Sequence, residues 1–231
     1  MSTEIARRAN EQPAAVTNLP RYVAVEGPIG VGKTALAKKL SKEFGSDLLL
    51  EHTEKNPFLE RFYRSGYSAA LPTQLFFLFQ RARQIEELRQ DDMFSPVRIA
   101  DFLLVKDRLF AEITLDREEL DLYSRIYERL DLNPPTPDLV VYLQAPVDVL
   151  LARIARRGID YELLIDRSYL ERLTEAYARF FHSYDDSPLL IVNAANIDPI
   201  HHEADFRQLF EQIQNTSSGR RFFNPVVNGF S

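Results

Sequence analysis

The sequence predicts an α/β protein, a five-stranded parallel sheet with helices on both faces, organised around a phosphate-binding loop. Three observations carry this. Tyr22 to Glu26 is an apolar strand running into Gly27-Pro28-Ile29-Gly30-Val31-Gly32-Lys33-Thr34, which fits G-x-x-x-x-G-K-[ST] and leads straight into a helix. Four further short apolar runs close at Glu51, Asp101, Leu143 and Val192, each set off by segments of helical periodicity. These runs are continuous rather than alternating, as strands buried on both faces must be.

Residues Met1 to Pro20 mix charges with Asn, Gln and Pro and lack periodicity, which predicts a mobile extension ahead of one domain over 21–214. After the glycine loop, Ala35 to Leu40 continue as a helix capped by Gly45. Asp47 to Glu51 is the second strand, ending in a carboxylate. Pro57 to Tyr63 reads as a short helix, and Gly66 and Pro72 bracket a loop. Thr73 to Arg89 reads as a longer helix with Leu75, Leu78, Phe79, Ala82 and Ile85 on one face. Gln74 and Arg81 fall beside Leu78 and Ile85 on that face, so two polar groups look inward and need partners. Phe76 and Phe77 extend the apolar surface of this helix and suggest a subunit interface.

Ser95 to Asp101 is a third strand, again closed by a carboxylate. Phe102 to Leu130 is helical in pattern, broken near Leu115, where Asp116 and Glu119 form a capping-box signature. Pro134 to Pro137 stops this helix ahead of Asp138 to Leu143, the clearest buried strand. A helix from Pro146 buries Val147, Leu150, Leu151 and Ile154 and runs into Arg153, Arg156, Arg157 and Gly158. Another from Ser168 aligns Leu170, Leu173, Tyr177, Phe180 and Tyr184. Leu189 to Val192 is the last strand, and Phe206, Leu209, Phe210 and Ile213 mark a final amphipathic helix. From 215 to 231 the chain is rich in Ser, Asn and Gly, a tail either loose or docked through Phe222 and Phe223.

Composition excludes several classes of function. With 28 basic and 34 acidic residues and net charge −6, the chain lacks the basic stripe of a nucleic-acid binder. The absence of cysteine excludes disulfides, thiolate zinc sites and thiol nucleophiles. The four histidines, His201 and His202 among them, have no zinc spacing and read as surface groups. No apolar run approaches the ~20 residues of a membrane span, and the N-terminus lacks a signal peptide's apolar region. A soluble, cytoplasmic protein is expected.

Where a glycine loop opens a helix, successive backbone N–H groups close around phosphate oxygens. Lys33 then reaches the terminal phosphates and the Thr34 hydroxyl serves Mg²⁺, so ATP and Mg²⁺ are the expected cofactors. Ligands of such sheets bind beyond the carboxyl ends of the strands, which places the loop, Glu51 and Asp101 at one rim. A strand-end aspartate beside this loop suits a second metal ligand, Asp101.

In order and spacing these residues resemble the deoxyribonucleoside kinases, the deoxycytidine, deoxyguanosine and deoxyadenosine kinases and the insect multisubstrate enzyme, over roughly Arg21 to Ile200. The likeness runs through Glu26 to Thr34, Glu51, Asn56 to Leu59, Tyr63, Gln74, Arg81, Asp101, Asp107-Arg108, Pro137 to Leu143, an arginine-bearing lid from Arg153, and Glu162 before Tyr169-Leu170. The resemblance implies a P-loop nucleoside/nucleotide kinase-like fold, a homodimer, and transfer of the ATP γ-phosphoryl group to the 5′-hydroxyl of a deoxynucleoside in salvage. It implies Glu51 as general base, Asp101 near Mg²⁺, and Tyr63 with Glu162 on the sugar 3′-hydroxyl. Gln74, Arg81 and Asp107 match its base-recognition set, and Arg153 and Arg157 its lid, which would close on the phosphates. An Arg fork, a Gln amide and an Asp acceptor suit a purine, whereas thymine offers no exocyclic amine. The family's arginine after the strand-end acid is here Phe102, so Arg108 or a lid arginine substitutes, or the reaction proceeds without it. Two alternatives share the loop: a nucleoside-monophosphate kinase of the thymidylate type, and a non-catalytic nucleotide-binding protein.

Overall fold

The computed structural model describes residues 20–65, 68–90, 98–103 and 106–225. The extension through residue 19, Gly66, the strand start at Ser95-Pro96-Val97 and the end of the tail at 226–231 lie outside them. The described strands are β1 (Tyr22–Glu26), β2 (Asp47–Leu49), β3 (Arg98–Ala100), β4 (Leu139–Gln144), β5 (Leu189–Asn193) and β6 (Arg220–Phe223), in the order β2-β3-β1-β4-β5-β6. Every pair is parallel, as continuous apolar strands require. Val23, Ala24 and Val25 of β1 and Val140 and Val141 of β4 are fully buried at the centre.

The sheet has six strands, not the expected five. The extra one lies in the expected tail, where Leu189 to Val192 pair with Arg220 to Phe223. An edge strand docks through backbone hydrogen bonds and needs no apolar run, so periodicity could not find it. Phe222 is 73% exposed, and Arg220 ties the strand down by donating to the carbonyls of His182 and Tyr184 at 2.9 and 3.1 Å.

The helices are α1 (Lys33–Phe44), α2 (Leu59–Ser65), α3 (Ala70–Gln90), α4 (Asp107–Thr114), α5 (Arg117–Leu130), α6 (Val147–Arg157), α7 (Arg167–Ser183) and α8 (Glu203–Gln214). Gly45 and Gly158 cap α1 and α6 in the left-handed conformation. The capping box forms as expected, Asp116 accepting from the Glu119 N–H at 2.9 Å. The helical pattern does not begin at Phe102: Phe102 and Leu103 lie in the turn after β3, and the helix starts at Asp107. On α3, Leu78 and Ile85 are buried, but Phe79 is half exposed and Phe77 is buried instead. The inward face is therefore rotated from the predicted one, and Phe77 belongs to the interior. No helix among the described residues is long and apolar enough to cross a membrane.

Sheet order decides which groups meet at the rim. Because β3 lies between β1 and β2, a side chain leaving its carboxyl end touches the segments that continue from both neighbours. The glycine loop is fitted closely there. Gly27 has φ 148°, and a Cβ on it would meet the Leu143 carbonyl oxygen at 2.4 Å. Gly27→Ala is expected to cost about 2–3 kcal/mol in urea unfolding and to abolish ATP binding, since both the backbone and the contact must give. Gly45→Ala, with φ 58° but open space around it, should cost about 1 kcal/mol and leave binding intact.

Candidate active site

β1 delivers the glycine loop to the N-terminus of α1. Gly32 stands at the N-cap with φ 107°, so the first turn of α1 presents its backbone N–H groups to the rim. Ile29 to Thr34 line a cavity of about 790 Å³, while Gly27 and Pro28 lie behind the loop and shape it. Lys33 donates to the carbonyls of Gly27 and Pro28 at 2.7 and 3.2 Å, folded over its own loop. Burial, and secondly the charge of Lys106, lower its pKa below the ordinary lysine value.

Asp101, at the end of β3, bridges the two neighbouring strands. Its Oδ2 accepts from the Thr34 hydroxyl at 2.5 Å and its Oδ1 from the Glu51 backbone N–H at 2.7 Å. Thr34 and Asp101 both line the cavity and are hard oxygen donors, a pair that fits Mg²⁺ completed by phosphate and water. No group of three His, Cys, Asp or Glu able to hold a metal exists among the described residues, so this protein pair would act with a ligand's oxygens.

Glu51 lies just beyond β2 and is fixed from three sides. Gln84 of α3 donates to the Leu50 carbonyl at 2.9 Å, and the two carboxylate oxygens take different cations. Oε1 accepts from Arg81 Nη1 at 2.9 Å and Oε2 from Lys106 Nζ at 2.9 Å. Burial opposes its charge, but Lys106 and then Arg81 outweigh burial and bring its pKa to about 2. A carboxyl whose folded pKa lies below its ordinary 4.5 adds stability above pH 4.5 and loses it as pH falls toward 2. Urea unfolding of the protein and of Glu51→Gln at a series of pH values should therefore show a gap that narrows only below about pH 4.5.

Arg81 and Asp107, which the resemblance puts in one base-recognition set, form a buried ion pair through Arg81 Nε and Nη2 on Asp107 Oδ1. Burial works against the Arg81 charge, but Asp107 and Glu51 more than offset it and raise its pKa above the usual arginine value. Asp107 sits behind Arg81 and lines neither cavity, and its Oδ2 has no hydrogen-bond partner among the described residues. Gln74 donates to the Thr114 hydroxyl at 3.3 Å. Gln74, Phe77, Arg81, Lys106, Phe110 and Tyr169 close an inner cavity of about 60 Å³. Glu51, Lys33 and Tyr63 line both this inner cavity and the larger one.

Over the mouth lies the segment after α6. Tyr63 stacks on Tyr161 with ring centres 6.3 Å apart and an interplanar angle of 8°. Arg157 pairs with Glu162, whose carboxyl is pushed up by burial against the pull of Arg157. Arg153 lines the large cavity beside the glycine loop. Its guanidinium donates to the carbonyls of Val31, Ala194 and Ile197 at 3.1, 2.7 and 3.5 Å, tying the glycine loop to the turn after β5.

The Phe102 departure has a structural answer. Its ring is fully buried, 5.4 Å from the Arg81 guanidinium and 6.0 Å from Lys106 Nζ. Arg108 is 72% exposed and paired with Glu112, and it lines neither cavity. Two charged side chains at the site, Lys106 and Glu26, left little signal in the sequence. Lys106 stood in an assumed helix, and its only signal was a cation beside Asp107. Glu26 read as a strand end; it is fully buried and accepts from the Gly27 N–H at 2.8 Å, Tyr177 OH at 2.9 Å and the Leu103 N–H at 2.7 Å.

The deoxynucleoside kinase family profile matches residues 23–217. A deoxyguanosine kinase of Bacillus subtilis is 34% identical over 85% of this chain and 98% of its own length. A deoxyadenosine/deoxycytidine kinase of the same organism is 28% identical over 83% of this chain and 90% of its own. Among solved structures, deoxyadenosine kinase from M. mycoides with bound dATP superposes with a TM-score of 0.72 at 25% identity, covering 84% of this chain and 98% of that one.

Proposed function

We propose, since this chain belongs to the deoxynucleoside kinase family, that it phosphorylates the 5′-hydroxyl of a deoxypurine nucleoside with ATP·Mg²⁺ in nucleotide salvage. That the chain is an ATP-dependent deoxynucleoside kinase comes from the family itself; the purine preference, the metal and the salvage role are the proposal. The observation that carries it is one carboxylate, Glu51, lining both the phosphate-side cavity and the inner cavity.

The nucleoside lies across the junction of the two cavities, its base toward the inner end and its primary hydroxyl toward Glu51 and Lys33. Glu51 Oε1 exchanges its bond to Arg81 for one to the 5′-hydroxyl and accepts that proton as O5′ bonds to the γ-phosphorus and the bond to the ADP oxygen breaks. Loop amides and Lys33 hold the phosphates, and Thr34 and Asp101 would hold Mg²⁺, which neutralises developing charge when bound. Arg157 turns from Glu162 to the phosphates, leaving Glu162 beside Tyr63 for the 3′-hydroxyl. Arg153 stiffens the loop rather than closing on phosphate, and Asp107 acts by aiming the Arg81 fork.

Support for a purine comes from Arg81 and Gln74 at the inner end, donors suited to N7 and its neighbours, and from the deoxyguanosine kinase named among the relatives. Apolar side chains at the surface, Phe79 and Leu122, support a homodimer. A panel of the four deoxynucleosides with labelled ATP should give a kcat/KM for deoxyguanosine or deoxyadenosine at least ~10-fold above thymidine. Preference for thymidine, or turnover only with deoxynucleoside monophosphates, would overturn the reading.

A further inference from the structure

We propose that Lys106 is a positioning residue for phosphoryl transfer, its ammonium holding Glu51 Oε2 in place while Oε1 is handed from Arg81 to the acceptor hydroxyl. This rests on Glu51 as the group facing the acceptor, and it assigns unequal tasks to the two cations that touch it.

The asymmetry is in the geometry. Arg81 has a second anchor, since its Nε and Nη2 remain on Asp107 whether or not Nη1 stays on Glu51. Lys106 feels the charges of both Glu26 and Glu51, but its one carboxylate hydrogen bond among the described residues is to Glu51. Its other carboxylate neighbour, Glu26 Oε2, stands 3.8 Å away and already accepts from the Leu103 N–H. Lys106 is 3% exposed, flanked by the rings of Phe102 and Phe110 at 6.0 and 5.6 Å, so its ammonium cannot turn to water. An ammonium in such surroundings stays with its best anion.

The other cations near the rim have other tasks: Arg108 pairs with Glu112 at the surface, Arg153 holds backbone carbonyls, and Lys33 and Arg157 are the cations assigned to the phosphates. The residue after Asp101 brings a ring, Phe102, and no charge. When Arg81 releases Oε1, Lys106 is therefore the one cation among the described residues that still grips the carboxylate. Without it, Glu51 is free to rotate away from the line between the acceptor oxygen and the γ-phosphorus, and misplacement by about 1 Å costs ~10²-fold in rate.

The test is steady-state kinetics of Lys106→Met, Lys106→Arg, Glu51→Gln and the Glu51→Gln/Lys106→Met double variant, with Mg·ATP and the best deoxynucleoside of the panel. K106M should lose ~10²-fold in kcat with its KM for ATP moved less than ~3-fold. K106R should recover at least ~10-fold of the loss, and K106M should cost nothing further in the E51Q background. Thermal unfolding and binding of a non-hydrolysable ATP analogue establish that each variant is folded; should K106M not fold, Lys106→Gln is judged by the same criteria. A K106M kcat within ~3-fold of the unsubstituted enzyme, K106R no better than K106M, or equal losses in both backgrounds would each overturn the assignment. Undiminished turnover in E51Q would instead overturn the role given to Glu51, so the two failures are distinct.

Discussion

Glu51→Gln is expected to lower kcat by ~10²–10⁴-fold while leaving ATP binding in place, the range contributed by a positioned general base. The substitution preserves shape and removes only the charge and the capacity to take a proton. It leaves the loop and the Thr34–Asp101 pair in place, because Glu51 meets Asp101 only through its backbone N–H. ATP-analogue affinity by calorimetry should therefore change little. The cations beside Glu51 hold its carboxyl below the ordinary range, so it is ionised when the acceptor arrives and can orient the hydroxyl before it receives the proton. Glu51→Asp keeps the charge one methylene further back and should lie between the two. A Gln variant that turns over at the original rate would remove the foundation of the proposed chemistry.

Arg81→Leu is expected to cost about 3–5 kcal/mol in urea unfolding, the largest stability effect among the site residues. Arg81 and Asp107 are 2% exposed each, and burial already pushes the Asp107 carboxyl up, so truncating the cation leaves Asp107 to carry an unpaired charge or take up a proton in the interior without its donor. Glu51 keeps Lys106 and is affected less. Arg81→Leu/Asp107→Leu, which removes both charges, should regain most of that stability because an apolar pair fills the same space without a stranded anion. Activity should not return with it, since the fork facing the inner cavity is gone. A double variant as unstable as the single one would mean that shape, and not charge, fixes this corner.

Each site residue was readable to the extent that it left a local signal. The glycine loop, Lys33 and Thr34 were legible because their chemistry needs fixed spacing along one stretch of chain. Glu51 and Asp101 were legible as strand-end carboxylates in a sheet whose rim binds ligands. Gln74 and Arg81 announced themselves as polar groups on an apolar helix face, and both are buried. Lys106 left almost no signal, because nothing in a sequence says that a lysine before α4 reaches Glu51 across 55 positions. The contacts of Arg153 left no signal for a related reason: they are backbone carbonyls, which carry no residue identity. β6 was missed since backbone pairing at a sheet edge asks little of side chains.

Local periodicity and short-range spacing were enough for the α/β class, the phosphate cradle, the strand-end acids and the inward polar pair on α3. Folding added that β3 lies between β1 and β2, and so that Asp101 touches both Thr34 and Glu51. It also settled which cations share Glu51 and which arginine is tied to the loop. The physical reason is that periodicity records whether a side chain is buried, whereas charge pairing depends on which buried groups meet, and that is fixed by strand order and packing across the whole chain.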